Sequence, residues 1–427
     1  MKRAVIVLGA GAPNAWGASL TSEITELILQ DKNYKTKSGI PLAKFIYDNL
    51  AKYYNSTSSI NFETIINSLE TIQNYYMNKT VVGGNPNTTS SASIWFNTNE
   101  IIEELMNFKV EPEGDPERVT VHNLTENGGC FPGTPKSREE TVYINHAIKD
   151  YLTIVKQQIN IYSLNLNEPE NNDLNTSLKE LLMHILNQGY IPRIYTTNYD
   201  SLFPTIFNKS GDPDFFDGFD NQIGETPFGP VFKMNLPRIL NDNTTPCYYN
   251  LHGCIFWEYE ATGDDRVSQY RSTPNEAHLG TFINRGELTN PGENTLVHNI
   301  ITGYYKLQRI SLEPLNSFHS IFTQDCINAH LIITIGYSFS DYHINRPILN
   351  AIRINDTRLL HITFGNQYST QVEEFSKIKD LLRLRDDFKS GTLHENGWII
   401  SDSRKQMVFH KGFKDFLLNN EWKNSNI

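Results

Sequence analysis

The sequence predicts an α/β fold, an open parallel sheet interrupted by a large helical insertion. Its first strand is predicted at "AVIVLG", residues 4–9, a fully apolar and β-branched run typical of buried parallel strands. Four further strands are predicted at 190–196, 247–251, 331–336 and 358–364. Helical patterns separate most of these runs, and strands that alternate with helices indicate βαβ units and a parallel sheet.

The first predicted unit joins a strand, a glycine-rich turn and a helix. The turn comes directly after the strand, and "TSEITELILQ" at 21–30 predicts the helix. Glycines in such a turn let the backbone approach a pyrophosphate at a helix N-terminus. Asn14 occupies the third position of the Gly-x-Gly-x-x-Gly pattern, so a structural turn that binds nothing would have a similar sequence. The candidate nucleotide-binding residues are Gly9, Ala10, Gly11, Ala12 and Gly17.

Residues 42–188 predict a helical insertion, or lid, rather than part of the sheet. "FETIINSLETIQNYY", "YINHAIKDYLTIVKQQINIY" and "LKELLMHILNQG" all repeat apolar residues at helical spacing. Polar, Gly/Pro-rich stretches at 79–97 and 108–138 predict long loops between them. The predicted division is therefore a sheet domain over 1–41 and 189–427, with the insertion over 42–188.

The α/β pattern resumes at residue 190 and continues to the C-terminal region. Polar stretches rich in Gly, Pro and Asn predict loops at 210–245 and 258–300. The tail at 397–420 predicts a strand and a closing helix. Other helices are predicted at 314–328, 342–354 and 370–388.

Composition narrows the classes of function. The 427 residues are 39% hydrophobic and 20% charged, which is typical of a globular protein. A net charge of −11 argues against binding to a nucleic-acid backbone. Neither a signal-peptide core nor a run of ~18–20 apolar residues is present, so we expect a cytoplasmic protein without a membrane partner. The four cysteines form no Cys-x-x-Cys pair, so we expect reduced thiols and no metal site.

The stretch "RIYTTNYDSLF" places polar side chains at the end of the second predicted strand. Open α/β sheets bind ligands at the carboxyl ends of their strands, which makes Thr197, Asn198 and Asp200 candidate site residues. Because residues two apart in a strand face the same side, we expect Asn198 and Asp200 to share one pocket. Alternatively, Asn198 and Asp200 form an Asx turn that caps the next helix, a role that Asp200 could fill while Asn198 remains catalytic.

Three further strand ends carry glycine and polar residues in "YNLHGC", "ITIGYSFSD" and "HITFGNQ". The residues concerned are His252, Gly253, Gly336, Ser338, Asp341, Gly365 and Asn366. Each end alone is consistent with ordinary turn chemistry. A lone histidine such as His252 is more often packed than catalytic, and Asp341 could simply cap the helix beginning near Tyr342. Four such ends in one chain favour a ligand site.

Taken in order, these stretches resemble the NAD-binding domain of the sirtuins over about 1–30 and 188–370. The family's Gly-Ala-Gly-x-Ser is similar to Gly9-Ala10-Gly11-Ala12-Pro13, its Thr-Gln-Asn-x-Asp to Thr196-Thr197-Asn198-Tyr199-Asp200, its catalytic His-Gly to His252-Gly253, its Gly-Thr-Ser to Gly336-Tyr337-Ser338, and its late ribose-binding Asn to Asn366. The resemblance implies a Rossmann-like sheet with NAD+ as ligand.

Two departures from the sirtuin pattern bear on activity. Pro13 replaces the family's serine, which removes a hydroxyl contact to the cofactor. The region after His252 lacks the four zinc cysteines and the Phe-Gly-Glu segment by which deacylase sirtuins hold an acyl-lysine peptide. With its large insertion, the chain resembles the divergent sirtuin-like proteins of bacterial anti-phage systems, which are similar to NAD hydrolases rather than deacylases. That resemblance also implies homo-oligomers and, in some systems, a hexameric ATPase or helicase partner.

The resemblance and the chemistry of the reaction together predict the roles. Cleavage of the nicotinamide–ribose bond builds positive charge on the sugar. Asn198 is predicted to orient the water or the ribose, His252 to accept a proton, and Asp200 to hold the nicotinamide amide or stabilise the cation. The sequence thus predicts an NAD+ glycohydrolase without a metal. The alternatives are a module that senses NAD+ or an ADP-ribose derivative without turnover, and, less favoured, a protein deacylase.

Overall fold

The computed structural model describes most of the chain, with gaps chiefly in the insertion and in two later segments. The described residues are 2–57, 60–81, 135–165, 168–208, 215–226, 229–259, 267–270, 281–283, 295–297, 299–302, 306–355, 357–364, 392–394, 396–401 and 405–423. Among them, no helix is long and apolar enough to cross a membrane.

Fourteen strands and eleven α-helices lie within these residues. The strands are β1 (Lys2–Leu8), β2 (Tyr190–Thr196), β3 (Phe219–Thr226), β4 (Gly229–Met234), β5 (Cys247–Asn250), β6 (Trp257–Tyr259), β7 (Val267–Tyr270), β8 (Thr281–Ile283), β9 (Thr295–Val297), β10 (Leu331–Ile335), β11 (Arg358–Ile362), β12 (Thr392–His394), β13 (Trp398–Ile400) and β14 (Gln406–Phe409). The helices are α1 (Thr21–Leu29), α2 (Leu42–Tyr54), α3 (Phe62–Val81), α4 (Pro135–Asn165), α5 (Asn172–Asn187), α6 (Leu202–Asn208), α7 (Leu236–Asn241), α8 (Lys306–Arg309), α9 (Leu315–Ile327), α10 (Tyr342–Asn355) and α11 (Phe413–Leu418).

The main sheet has eight strands in the order β12-β13-β14-β11-β10-β1-β2-β5. The six strands from β14 to β5 run parallel, and β13 and β12 add an antiparallel edge. The order of the chain reverses between β1 and β10, as in doubly wound α/β folds. Such a reversal opens a crevice at the carboxyl ends of the two central strands, and ligands bind there. This confirms the predicted Rossmann-like class.

Helices cover the main sheet on both faces, and its central strand β1 is buried and apolar from Ala4 to Leu8. One hydrophobic cluster packs α1 to α4, α9 and α10 against side chains such as Val5 and Val7 of β1. The other packs α5, α6 and α11 against Ala4 and Ile6 of the same strand. Alternate residues of β1 thus face opposite cores, which explains the uninterrupted apolar run.

The predicted helices of the insertion form, and two of them lie on one face of the sheet. The apolar face predicted for α3 is buried, from Phe62 through Ile72. Helix α5 instead packs on β2 and against α11, on the opposite face. The division of the chain at residues 41 and 188 stays a prediction.

The structure corrects two predicted loops and leaves one predicted helix untested. The sequence predicts a loop over 258–300, yet β7, β8 and β9 form there, and β8 pairs with β9. The sequence predicts a loop over 210–245, yet β3 and β4 pair there as a hairpin, and α7 comes after them. With β7 and β6 they make a four-stranded antiparallel sheet. Cross-strand pairing, which Gly- and Asn-rich sequence does not reveal, decides this region. The helix predicted at 370–388 lies outside the described residues.

Candidate active site

The glycine turn after β1 packs directly against the turn after β10. The Gly9 amide donates to the Ile335 carbonyl at 2.9 Å, and the Gly11 amide donates to the Gly336 carbonyl at 3.0 Å. A Cβ on Gly9 would lie 2.5 Å from the Gly336 oxygen, and a Cβ on Gly336 would lie 2.3 Å from the Ala12 nitrogen. Gly336 also has a φ of 56°. Only glycine permits this approach of two backbones at the switch point.

A cavity of about 780 Å³ opens at this point of the sheet. Its size lies in the range of small-molecule sites, roughly 300–1,000 Å³. The turn after β1, the first turn of α1 and the ends of β2, β10 and β11 line it on one side. Residues of α3 and α4 line it on the other side. The sheet and the helical insertion therefore enclose one site.

Asn198 lines the cavity and is tied to the glycine turn. Its side-chain amide donates to the Gly9 carbonyl at 3.0 Å, and its backbone amide donates to the Thr196 hydroxyl at 3.0 Å. The buried Asn250 of β5 donates to the Asn198 carbonyl at 3.1 Å and to the Asp200 carbonyl at 2.8 Å. These bonds fix the turn after β2 and hold the Asn198 side chain beside the glycines.

Asp200 does not share the pocket with Asn198, so that expectation is wrong. Strand β2 ends at Thr196, and the next four residues form a turn in which two-residue alternation no longer holds. The Asp200 carboxylate is 1% exposed, accepts from the Leu202 amide at 2.9 Å, and lies 2.5 Å from the Tyr162 hydroxyl. Burial raises its pKa against the hydrogen bonds that lower it. These contacts favour the helix-capping alternative, and the catalytic role stays a prediction.

His252 lines the cavity although it is only 1% exposed. It lies just beyond β5, and Gly253, at a φ of 88°, turns the chain immediately after it. Its Nε2 lies 3.2 Å from Nε2 of His343 and 4.0 Å from Oδ1 of Asp341. Burial, and then the charge of Lys306, holds the pKa of His252 well below its usual range. The imidazole is therefore neutral near pH 7 and able to accept a proton.

Partly buried charged groups lie close to this histidine. The Lys306 ammonium lies 2.7 Å from Asp341 and 3.5 Å from Glu63 of α3. Glu63 also accepts from the Tyr199 hydroxyl at 2.8 Å. Burial would raise the pKa of Asp341, but His252 and Lys306 outweigh it and lower that pKa to about 2. Glu63 and Asp341 likewise outweigh burial and raise the pKa of Lys306.

The other predicted site residues divide into three groups. Those that line the cavity are Gly9, Ala10, Gly11, Thr197, Gly336, Tyr337, Ser338 and Asp341. Ala12 is buried beneath the turn, and Gly17 ends a short 3-10 helix away from the lining. Gly365 and Asn366 lie outside the described residues.

Sequence reasoning missed the lining that comes from the insertion and from the later loop. Glu63, Gln158 and Tyr162 line the cavity from α3 and α4, and Lys306 contacts the site from α8. No local pattern marks them, because each lies on an ordinary amphipathic helix or beside a polar loop. His343 had one signal, its place two residues after Asp341 at a strand end.

The fold and the site together define a class of protein. A doubly wound sheet whose cavity lies at the switch point, lined by close-packed glycines and the start of a helix, is typical of nucleotide-binding α/β proteins. Residues 192–381 match the family model of the SIR2-like domain, so the chain carries a sirtuin-like domain. That domain indicates an NAD-related function. A search of curated proteins finds no match to the chain.

Proposed function

We propose that this chain is an NAD+ glycohydrolase, which cleaves the nicotinamide–ribose bond with water and yields nicotinamide, ADP-ribose and a proton. One observation carries the proposal. Asn198 and His252, on the ends of two different strands, line the same cavity as the glycines of the switch point. The cavity thus combines a nucleotide-type cradle with a neutral base and a positioned amide.

The cradle has the features that a dinucleotide requires. Gly9, Gly11 and Gly336 let the two turns pack backbone against backbone, and all three line the cavity, so this side of it is formed by backbone groups without side chains. Leu20 and Thr21, at the start of α1, line the same cavity, and a helix N-terminus favours phosphate groups. These residues would hold the pyrophosphate of NAD+.

The residues around His252 suit a reaction that builds positive charge on the ribose. Nicotinamide leaves as a neutral group, so the step needs negative potential and a positioned water more than a strong acid. Asp341 supplies a carboxylate in the lining of the cavity. Asn198 donates one amide hydrogen to the Gly9 carbonyl, and its side-chain oxygen can orient water or a ribose hydroxyl. His252 takes the proton released when water adds to the sugar.

The proposal extends to control of turnover by the insertion. Glu63 and Tyr162 belong to helices of the insertion, so a shift of these helices would change the lining of the site. Small displacements of a catalytic group can cost ~100-fold in rate. We propose that assembly into a homo-oligomer, or with a hexameric ATPase partner, moves these helices and so controls turnover. We also propose that the chain acts in anti-phage defence. These parts rest on the resemblance alone.

The decisive experiment incubates the purified chain with NAD+ and separates the products by chromatography. We expect nicotinamide and ADP-ribose to appear in equal amounts. His252→Ala and Asn198→Ala should each lower the rate by about 100-fold or more, because each removes a group that touches the reacting centre. His330→Ala, at an exposed histidine, is the matched control and should keep the wild-type rate.

Thermal melting of each variant separates loss of catalysis from loss of fold. Wild-type turnover in His252→Ala would remove this residue from the mechanism. The wild type is assayed at protein concentrations below and above those at which it oligomerises. Binding of NAD+ without release of nicotinamide at all of them would favour the sensing module instead. Release of nicotinamide only with an acylated peptide present would favour the deacylase.

A further inference from the structure

Three side chains at the edge of the cavity bring metal-ligating atoms together. Nε2 of His252, Nε2 of His343 and a carboxylate oxygen of Asp341 all lie within 4.8 Å of one another. His252 comes from the loop after β5, whereas the other two flank the start of α10. No metal-binding motif marks these residues along the chain, so only the fold creates this cluster.

The separations suit a first-row metal ion bound by two imidazoles. Bonds of about 2.0–2.1 Å to zinc, in a tetrahedral arrangement, place two ligand atoms about 3.3 Å apart. The two Nε2 atoms are 3.2 Å apart. Asp341 Oδ1 is 4.0 Å from His252 Nε2, so the carboxylate must turn inward by less than the length of a bond. Without an ion, a single proton shared between the rings accounts for the same contact.

The surrounding charges favour a cation despite the presence of Lys306. The Lys306 ammonium lies between two carboxylates, Asp341 at 2.7 Å and Glu63 at 3.5 Å. Two carboxylates and one ammonium leave one net negative charge beside the imidazoles. Lys306 donates to Oδ1 of Asp341, the oxygen that lies 4.0 Å from His252, so its ammonium competes with an ion for this carboxylate.

We propose that His252, Asp341 and His343 form a binding site for zinc or a similar first-row divalent ion, with the fourth position open to the cavity. Two imidazole nitrogens and one carboxylate select such ions, whereas Mg²⁺ and Ca²⁺ prefer sets of oxygen ligands. The cavity provides the path of entry, because His252 and Asp341 both line it.

Occupation of this site switches the proposed reaction off. A bound ion takes the lone pair of His252 Nε2, which is then unable to accept a proton at that atom. It also places two positive charges where the ribose cation develops. The site itself does not depend on the proposed glycohydrolase function, but this inhibitory effect does. The proposed reaction therefore needs no metal and proceeds in the presence of a chelator, whereas zinc inhibits it.

Metal binding is measured without NAD+, on tag-free protein first treated with a chelator and then dialysed. Titration with Co²⁺ should produce the visible absorption of a four-coordinate ion at one equivalent, and Zn²⁺ should displace it. His343→Gln should weaken Co²⁺ binding by about tenfold or more, because it removes one of three ligands. His330→Gln, an exposed histidine outside the cluster, is the matched control and should bind as the wild type does.

Two further arms keep the proposal testable if His343→Gln fails to fold. Asp341→Asn should also weaken Co²⁺ binding, and Lys306→Met should tighten it by removing a positive charge. In the NAD+ assay, saturating zinc should lower wild-type turnover by about tenfold or more, and a chelator should restore it. Equal Co²⁺ affinity in the wild type and in a folded His343 or Asp341 variant would overturn the site. Absent turnover with intact Co²⁺ binding would instead overturn only the proposed function.

Discussion

Two walls of the cavity are built on opposite principles. The glycine wall consists of Gly9, Gly11 and Gly336, and its form comes from backbone contact alone. The charged wall consists of Glu63, His252 and Asp341, which line the cavity, and of Lys306 and His343, which contact them. Its form comes from side chains of four separate segments. The glycine wall tolerates no added atom, whereas the charged wall depends on which groups meet and on how their charges balance.

The difference teaches which part of a site a short motif can encode. The glycine wall joins two strand ends that are neighbours in the sheet, so the steric demand appears directly as glycine in the sequence. In the charged wall, Glu63 and Lys306 are separated by 243 positions in the chain. Their contact exists only because α3 packs over the edge of the sheet. Substitutions at Gly9, His361 and Asp200 test this contrast, and the expected effect decreases in that order.

Gly9→Ala should disrupt the glycine wall. The new Cβ would lie 2.5 Å from the Gly336 oxygen and 2.6 Å from the Tyr337 Cα, so one of the two backbones must move. We expect a loss of about 3 kcal/mol in the free energy of unfolding, together with loss of NAD+ binding. Urea unfolding and calorimetric titration with NAD+ measure the two effects.

Gly224→Ala is the matched control, because a Cβ there has nothing within 4 Å. Its free energy of unfolding should change by about 0.5 kcal/mol or less. Equal stability of the two variants would show that the turns at the switch point rearrange freely, contrary to the steric account.

His361 should make the free energy of unfolding depend on pH. Burial alone lowers the pKa of His361, whereas nearby charges also act on His252 and His343. His361 is 2% exposed in β11, its Nδ1 lies 2.7 Å from the Thr334 hydroxyl, and burial lowers its pKa from 6.5 to about 3. Between these values the unfolded chain binds the extra proton, so the free energy of unfolding falls as pH falls. From about pH 7.5 to about pH 5 the fall from this residue is about 2 kcal/mol.

His361→Gln removes this titration. Urea unfolding at the two pH values should show a fall that is smaller by about 2 kcal/mol in the variant than in the wild type. Altered packing changes the free energy of unfolding of the variant by the same amount at both pH values, so it leaves the difference between the two falls unchanged. Equal falls in both proteins would contradict the role assigned to burial.

Asp200→Asn should have the smallest effect and shows which function the turn after β2 serves. Asparagine can still accept from the Leu202 amide, and it loses only the charge that faces Tyr162. We expect a loss of about 1 kcal/mol in the free energy of unfolding. Nicotinamide release should stay within about threefold of the wild type, because a capping carboxylate does not touch the reacting atoms.

The opposite pattern in Asp200→Asn would restore the catalytic assignment. A loss of about 100-fold in turnover at unchanged stability would mean that the carboxylate acts on the substrate. Asp200→Ala adds a second measurement, because it also removes the acceptor for Leu202 and should destabilise the fold further.

The sequence predicts the strands of the main sheet better than the turns at their ends. It predicts β2 at 190–196, and the strand forms there, because isoleucine, tyrosine and threonine all favour a strand in a buried sheet. It also predicts a site at the polar end of β2, and Asn198 does line the cavity. The prediction for Asp200 assumes that side chains keep alternating beyond the end of β2. Asp200 lies in a turn, where the backbone dihedrals of each residue set the direction of its side chain. The hairpin of β3 and β4 escapes prediction because pairing depends on the partner strand.

The strands of a parallel sheet, the glycine turn after the first strand and the polar strand ends can all be predicted from the sequence alone. They follow from apolar burial, from glycine in a turn and from the period of a strand, which are visible in short stretches of the chain. The tertiary structure alone places the switch point between β1 and β10 and brings Glu63, Lys306 and His343 to His252 and Asp341. Such contacts depend on how α3, α8 and α10 pack around one cavity, and packing of apolar faces leaves no local mark on the polar residues that it brings together.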